Sequence, residues 1–114
     1  MIESESRPWG DFHVLYDGEL CKVKKIVIKP DQAPSYQYHF KREELWHIVQ
    51  GSGILKLDDE LIEVSTGQTV NIKLEQKHQI KNTGEDDLIF IEIQTGSYFG
   101  EDDIVRIEDN YGRA

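Results

Sequence analysis

The chain has 114 residues, 22 acidic and 13 basic side chains, a formal net charge of -9 and a single cysteine, Cys21. This length predicts one domain over residues 1–114, and the lone cysteine excludes an intramolecular disulfide and a cysteine-based zinc cluster. The negative charge disfavours nucleic acid and anionic membranes as partners, because each phosphate contact needs a Lys or Arg facing it.

Short apolar runs separated by turn residues follow one another along the chain. The turn residues fall at 17–18, 29–31, 51–53, 58–59, 65–67, 82–84 and 96–100. This spacing predicts roughly eight to ten strands of an all-β sandwich or barrel, with no helix beyond a short turn at 101–103. The N-terminus has neither a basic nor an apolar leader region, and no apolar run approaches about 18 residues. A cytoplasmic protein is therefore expected.

Four possible metal ligands stand out in the predicted strands: Gln37, His39, Glu44 and His78. Gln37 and His39 are two residues apart and share one side of an extended strand over 35–40. The first three ligands follow the spacing Gln-x-His-x4-Glu, and His78 comes from a later strand. Two imidazoles, a carboxylate and an amide oxygen suit zinc, manganese, iron, cobalt or nickel. The spacing leaves open whether Gln37 is a ligand or a polar lining residue.

Two segments that contain these residues, 35–51 and 67–82, resemble the signature motifs of the cupins. More narrowly, they resemble the cupin-type (type II) mannose-6-phosphate isomerases, which occur as the C-terminal domain of bifunctional mannose-1-phosphate guanylyltransferase/mannose-6-phosphate isomerase proteins. Residues 7–12 and 22–26 are similar to the opening of that family. Residues 96–113 are similar to its closing segment, which generic cupins lack.

The resemblance implies a cupin double-stranded β-helix, a jelly-roll barrel, with the same four residues as ligands of a divalent ion, zinc in the first place. It also implies an isomerase that interconverts mannose 6-phosphate and fructose 6-phosphate. This chain departs from the family around the ligands. Phe40, Lys41 and Leu45 replace family histidines, and residues 73–75 replace a Pro-x-Gly. These departures leave the ligand types intact, and the detail of the substrate pocket therefore does not follow from the resemblance.

Three further residues are candidates for catalysis: Arg106, Glu92 and Lys24. Arg106 lies in the closing segment, where it would hold a phosphate or an enediolate, or else pair with nearby carboxylates. Glu92 alternates with Phe90 and faces the cavity if Phe90 does, and burial there would raise its pKa toward a range useful for proton transfer. Lys24 shares a strand face with Lys22, and this face would line either a pocket or a solvated sheet edge.

Two rival functions stay open. The first is a metal-binding cupin of another enzyme class, such as a dioxygenase or a sugar-nucleotide epimerase. The second is a non-catalytic sugar-binding cupin. The expected partners are a small sugar phosphate and, through exposed sheet edges, a second copy in a homodimer. For a phosphorylated ligand, we expect an acidic exterior around a positive pocket. The cations expected at that pocket are Lys22, Lys24, Lys41, Arg42 and Arg106.

Overall fold

The structure is a computed structural model that describes residues 3–109, so residues 110–113 of the family-like closing segment lie outside the described residues. Eleven β-strands occur in this part of the chain, and every pairing between them is antiparallel. They are β1 (Glu3–Arg7), β2 (Gly10–Asp17), β3 (Cys21–Ile28), β4 (Tyr36–Tyr38), β5 (Arg42–Gln50), β6 (Ser52–Leu57), β7 (Glu60–Ser65), β8 (Thr69–Ile72), β9 (His78–Asn82), β10 (Leu88–Gly96) and β11 (Val105–Glu108). The prediction of an all-β fold is confirmed.

The strands form two sheets with an apolar core between them. One sheet has six strands in the order β1-β2-β3-β10-β5-β8, and the other has five in the order β11-β4-β9-β6-β7. Strands distant in sequence are neighbours in both sheets, as in β3 beside β10 and β4 beside β9. The core takes Ile28 and Ile48 from the first sheet and Leu55 and Ile80 from the second. Within residues 3–109, no helix is long and apolar enough to cross a membrane.

Two expectations from the sequence differ from the structure. Strand β1 was not predicted, because it is an edge strand of polar residues whose only pairing is with β2. The predicted strand over 35–40 ends at Tyr38. Its regular pairing stops there because the backbone N–H groups of Phe40 and Lys41 donate to the carboxylate of Asp103 instead of to a neighbouring strand.

The inner surface of the six-stranded sheet changes from apolar to polar along its central strands. On β10 the buried residues run from Leu88 and Phe90 to Glu92 and Gln94, as the alternation allowed. The register places Glu92 between Trp46 of β5 and Lys24 of β3. Neighbouring strands therefore bring their buried polar residues to the same end of the barrel, and the apolar end holds that arrangement in place.

Gly51 and Gly67, which belong to the two sequence motifs, occupy turns that require positive φ. Gly51 joins β5 to β6 with φ of 98°, and Gly67 precedes β8 with φ of 91°. A side chain at Gly51 would place its Cβ atom 3.1 Å from the Asp87 carbonyl oxygen and 3.2 Å from the Leu88 Cα atom. At Gly67 a Cβ atom would meet no atom within 4 Å.

We expect Gly51→Ala to destabilise the protein more than Gly67→Ala. The Gly67 variant should lose about 1–2 kcal/mol of unfolding free energy through backbone strain alone. The Gly51 variant should lose a further 1–3 kcal/mol, roughly, because its methyl group also crowds a backbone that cannot move away. Urea unfolding of the two variants measures the difference. Equal losses would contradict the close packing of β10 against this turn.

Candidate functional site

Three of the predicted ligands meet in a buried cluster. The ligand atoms of His39, Glu44 and His78 all lie within 4.8 Å of one another, and each residue is at most 3% exposed. Glu44 comes from β5 of the six-stranded sheet, His78 begins β9 of the other sheet, and His39 directly follows β4. The cluster is therefore assembled by closure of the two sheets rather than by any single strand.

Both imidazoles are oriented by backbone carbonyl groups. The Nδ1 atom of His39 lies 2.5 Å from the Asp103 carbonyl oxygen, and the Nδ1 atom of His78 lies 2.9 Å from the Gln76 carbonyl oxygen. A carbonyl can only accept, so each Nδ1 carries the proton and each Nε2 keeps a lone pair. The Nε2 atom of His78 is buried and has no hydrogen-bond partner within residues 3–109. An orphaned lone pair beside a carboxylate fits a divalent cation.

Glu44 carries the central charge of the cluster. Its carboxylate accepts from the Nε of Arg42 and from the indole N–H of Trp46, both at 2.9 Å, and lies 3.4 Å from the Nε2 of His39. Burial opposes this charge, but the neighbouring positive charge of Arg42 outweighs it and holds the pKa of Glu44 well below its usual range. Burial also lowers the pKa of both histidines, which favours the neutral imidazoles that metal binding requires.

The fourth predicted ligand, Gln37, lines the same cavity as Glu44 and His78. It lies opposite His78 in the pairing of β4 with β9, which carries its side chain toward the cluster. Its amide oxygen accepts a hydrogen bond of 2.7 Å from the Ser35 hydroxyl. An oxygen has a second lone pair, so this bond is compatible with either of the two roles that the sequence left open.

The cavity beside the cluster contains both signs of charge. Its volume of about 100 Å³ accommodates several waters, since one water needs roughly 10–15 Å³. Its charged lining residues are Arg7, Lys24, Arg42, Arg106, Glu44, Glu92 and Glu101. Of the five cations expected here, Lys22 and Lys41 are not in this lining, and Arg7 joins instead. The ammonium of Lys41 lies 5.2 Å from the ring centroid of Tyr98.

Lys24 is buried in the cavity wall rather than solvated. It is 3% exposed, forms an ion pair with Glu101, and places its ammonium 4.5 Å from the ring centroid of Phe12. Burial would raise the pKa of Glu101, but Lys24 and then Arg42 lower it below its usual range. Of the two interpretations left open for this strand face, the structure thus supports the pocket for Lys24.

Glu92 faces the cavity beside the cluster. It is 6% exposed, and one oxygen accepts a hydrogen bond from the Gln94 amide. Burial raises the pKa of Glu92 well above its usual range, and the negative charge of Glu44 raises it further. The sequence left two faces open for this residue, and the pairing of β10 with β3 and β5 selects the inner one.

Arg106 approaches the cavity from the five-stranded sheet. It lies opposite Gln37 in the pairing of β11 with β4 and lines the cavity while half-buried. Two further cations occupy positions in the site that the sequence did not predict. Arg7 lines the cavity, and Arg42 places its Nη2 atom 3.3 Å from the Nε2 of His39. The alternation of β5 contains the signal for Arg42, which lies two residues before Glu44 on the same face.

A two-sheet barrel with a buried His, Glu and His cluster defines a cupin, and solved structures agree with this class. A double-stranded beta-helix domain protein of Klebsiella pneumoniae superposes with a TM-score of 0.75 and 18% identity, covering 84% of this chain and 77% of that one. Lactobacillus farciminis oxalate decarboxylase superposes with a TM-score of 0.80 and 17% identity, covering 92% and 33%. At these identities the likeness concerns the fold alone.

The chain belongs to the family described as "Mannose-6-phosphate isomerase C-terminal", whose profile matches residues 2–109. Xanthan biosynthesis protein XanB of Xanthomonas campestris is 43% identical over 107 residues, which are 94% of this chain and 23% of that protein. Mannose-1-phosphate guanylyltransferase of Salmonella montevideo is 40% identical over the same shares. The chain thus spans less than a quarter of the length of these relatives.

We expect the metal-free protein to bind one equivalent of Co²⁺ or Zn²⁺ through the cluster, and His78→Ala to lose this binding. Removing a residue that only hydrogen-bonds to a metal ligand weakens metal binding by about 10- to 100-fold. Because His78→Ala removes a ligand itself, its loss of affinity should be larger. Isothermal titration of the chelator-treated protein measures it. His47→Ala is the matched control, since His47 is exposed on β5 and its ring contacts the Thr69 hydroxyl rather than the cluster. Wild-type binding by both His39→Ala and His78→Ala would show the ligand assignment to be wrong.

Proposed function

We propose that this chain is a metal-dependent isomerase domain that interconverts mannose 6-phosphate and fructose 6-phosphate. The observation that carries the proposal is the buried cluster of His39, Glu44 and His78, which adjoins a cavity with four cations. Membership of the family supports the choice of substrate. The fold alone would not, because other chemistries use the same barrel.

The residues present fit a divalent ion. Gln37, His39, Glu44 and His78 would hold it, zinc in the first place, and it would supply stabilisation for negative charge that develops on substrate oxygens. Manganese, iron, cobalt and nickel suit the same nitrogen and oxygen donors. Interconversion of an aldose and a ketose then requires a group that moves one proton between adjacent carbons.

Glu92 is the proposed proton carrier. Its carboxylate would take the proton from the carbon beside the carbonyl, leaving the electron pair in an enediolate, and its carboxyl would return the proton to the neighbouring carbon. In the enediolate, the hydroxyl proton passes from the oxygen that becomes the new carbonyl to the oxygen that becomes the new hydroxyl, so the step balances. Three features support this role: Glu92 lines the cavity, is buried from bulk water, and is paired directly opposite Lys24. The two protonation states are each used once per turnover, so the residue is regenerated.

The cavity cations are proposed to hold the anionic parts of the substrate. Arg106 and Arg7 would bind the phosphate, because a guanidinium offers paired donors to phosphate oxygens. Arg42 lies nearer the cluster, and its Nη1 atom is buried without a hydrogen-bond partner within residues 3–109. That N–H group is available for a developing oxyanion. Lys24 is neutralised in part by Glu101 and would contribute charge rather than a specific contact.

Three further expectations stay predictions: one domain over residues 1–114, a cytoplasmic location and a homodimer. The strands at the sheet edges are β1, β8, β7 and β11, and edges of this kind are where a second copy would pair. Size-exclusion chromatography with light scattering measures the oligomeric state.

We expect the protein, reconstituted with a divalent ion, to convert mannose 6-phosphate into fructose 6-phosphate. Glu92→Gln should lower kcat by about 10²- to 10⁴-fold, because it removes the proton carrier while keeping the shape of the side chain. A coupled assay for fructose 6-phosphate measures both. Glu63→Gln is the matched control, since Glu63 lies exposed on β7.

Absence of turnover with every tested ion would contradict the proposal. Oxygen consumption that requires a redox-active ion and disappears with zinc would indicate the dioxygenase alternative. Metal binding and sugar binding without turnover would indicate the non-catalytic alternative.

We expect Arg106→Ala to lower kcat/KM by about 10- to 100-fold, because a charge-assisted hydrogen bond contributes about 1.5–3 kcal/mol. Steady-state kinetics with mannose 6-phosphate measures the change. Lys22→Ala removes a cation that is not in the cavity lining and should leave kcat/KM near the wild-type value. An Arg106→Ala variant as active as the wild type would contradict the placement of the phosphate.

A further inference from the structure

Asp103 is a buried acidic residue that lies outside the proposed ligand set. It belongs to the segment between β10 and β11, residues 97–104, called here the closing loop. Its carboxylate accepts from the backbone N–H of Phe40 at 3.1 Å and of Lys41 at 2.9 Å. Its backbone carbonyl accepts from Nδ1 of His39 at 2.5 Å. One residue therefore contacts three consecutive residues at the end of β4.

These contacts replace a strand as the support for His39. Strand β4 ends at Tyr38, so the imidazole of His39 projects from irregular backbone. The His39 carbonyl accepts from the N–H of Glu75 at 2.7 Å, which anchors the backbone but leaves the ring free to rotate. The contact to Asp103 fixes the ring, because it selects the tautomer with Nδ1 protonated and turns Nε2 toward Glu44.

The closing loop is itself held in place by contacts of Glu101 and Asp103, the two neighbours of Asp102. The N–H of Asp103 donates to the Gly100 carbonyl at 3.2 Å, and Glu101 forms the ion pair with buried Lys24. Asp102 differs from Asp103, since it is exposed and accepts a hydrogen bond from the Tyr98 hydroxyl. The two adjacent carboxylates thus allow a matched comparison within one loop.

We propose that Asp103 is a positioning residue, which holds the His39 imidazole in the orientation and tautomer that a metal ligand needs. The inference rests on the proposed metal site and adds to it a residue that contacts neither metal nor substrate. It also gives the closing loop a role of its own, separate from that of Arg106 on β11.

The test compares Asp103→Ala, Asp103→Asn and the control Asp102→Ala in the full chain. Long-range ¹H–¹⁵N NMR of the metal-free protein, under conditions where the histidines are neutral, reports the tautomer of His39. Competition titration reports the affinity for Co²⁺. The wild type should show His39 with Nδ1 protonated. Asp103→Ala should mix the two tautomers and weaken Co²⁺ binding by about 10- to 100-fold, whereas Asp102→Ala should match the wild type in both measurements.

Asp103→Asn should lie between these limits, because its amide oxygen can still accept one of the two N–H bonds. The proposal is overturned if folded Asp103→Ala keeps the wild-type tautomer of His39 and binds Co²⁺ with an affinity within about twofold of the wild type. That change is far smaller than the loss caused by removing a residue that positions a metal ligand. If Asp103→Ala does not fold, the same criterion applies to Asp103→Asn. Failure of the wild type to bind Co²⁺ would overturn the proposed metal site, and the tautomer would still decide the role of Asp103.

Discussion

The buried negative charge of Glu44 is the constraint on which the site depends. An unpaired carboxylate in a protein interior costs several kcal/mol, approximately, so it persists only where donors and cations surround it. Period-two alternation in β5 puts Arg42 and Trp46 on the same inner face as Glu44, and one strand thereby supplies the charge and two of its donors. The two histidines come from the other sheet, so the cluster around this charge is complete only when the barrel closes.

The gradient from apolar to polar residues explains how such a group is tolerated. Ile48 and Leu88 pack in the core, while the polar residues further along the same strands surround the cavity. The apolar part provides most of the folding free energy, and the aligned strands carry the polar residues to one end. Burial there also strengthens each hydrogen bond and ion pair by lowering the local dielectric. The site is thus an extension of the core, with β5 and β10 common to both.

The sequence predicts the site best where its residues lie on regular strands. Alternation explains why Glu44 and His78 lie on inner faces, because their strands have one buried side. For Glu92 the sequence offered two faces, since Ile and Phe on opposite sides of β10 are equally apolar, and only the pairing with β3 and β5 distinguishes them. The environment of His39 was not predictable in this way, because its partner Asp103 lies 64 residues away in an irregular loop.

The net charge of -9 does not conflict with an anionic ligand once position is considered. Exposed charges more than about 8–10 Å away are largely screened at physiological ionic strength, whereas cations in a partly closed cavity act at short range and in a lower dielectric. In this cavity Glu44 and Glu101 are offset by Arg42 and Lys24, and the raised pKa of Glu92 favours its neutral form. The lining has four cationic and three acidic side chains, and Arg7 also pairs with Glu5 outside it, so the balance of charge at the cavity differs from the sum over the chain.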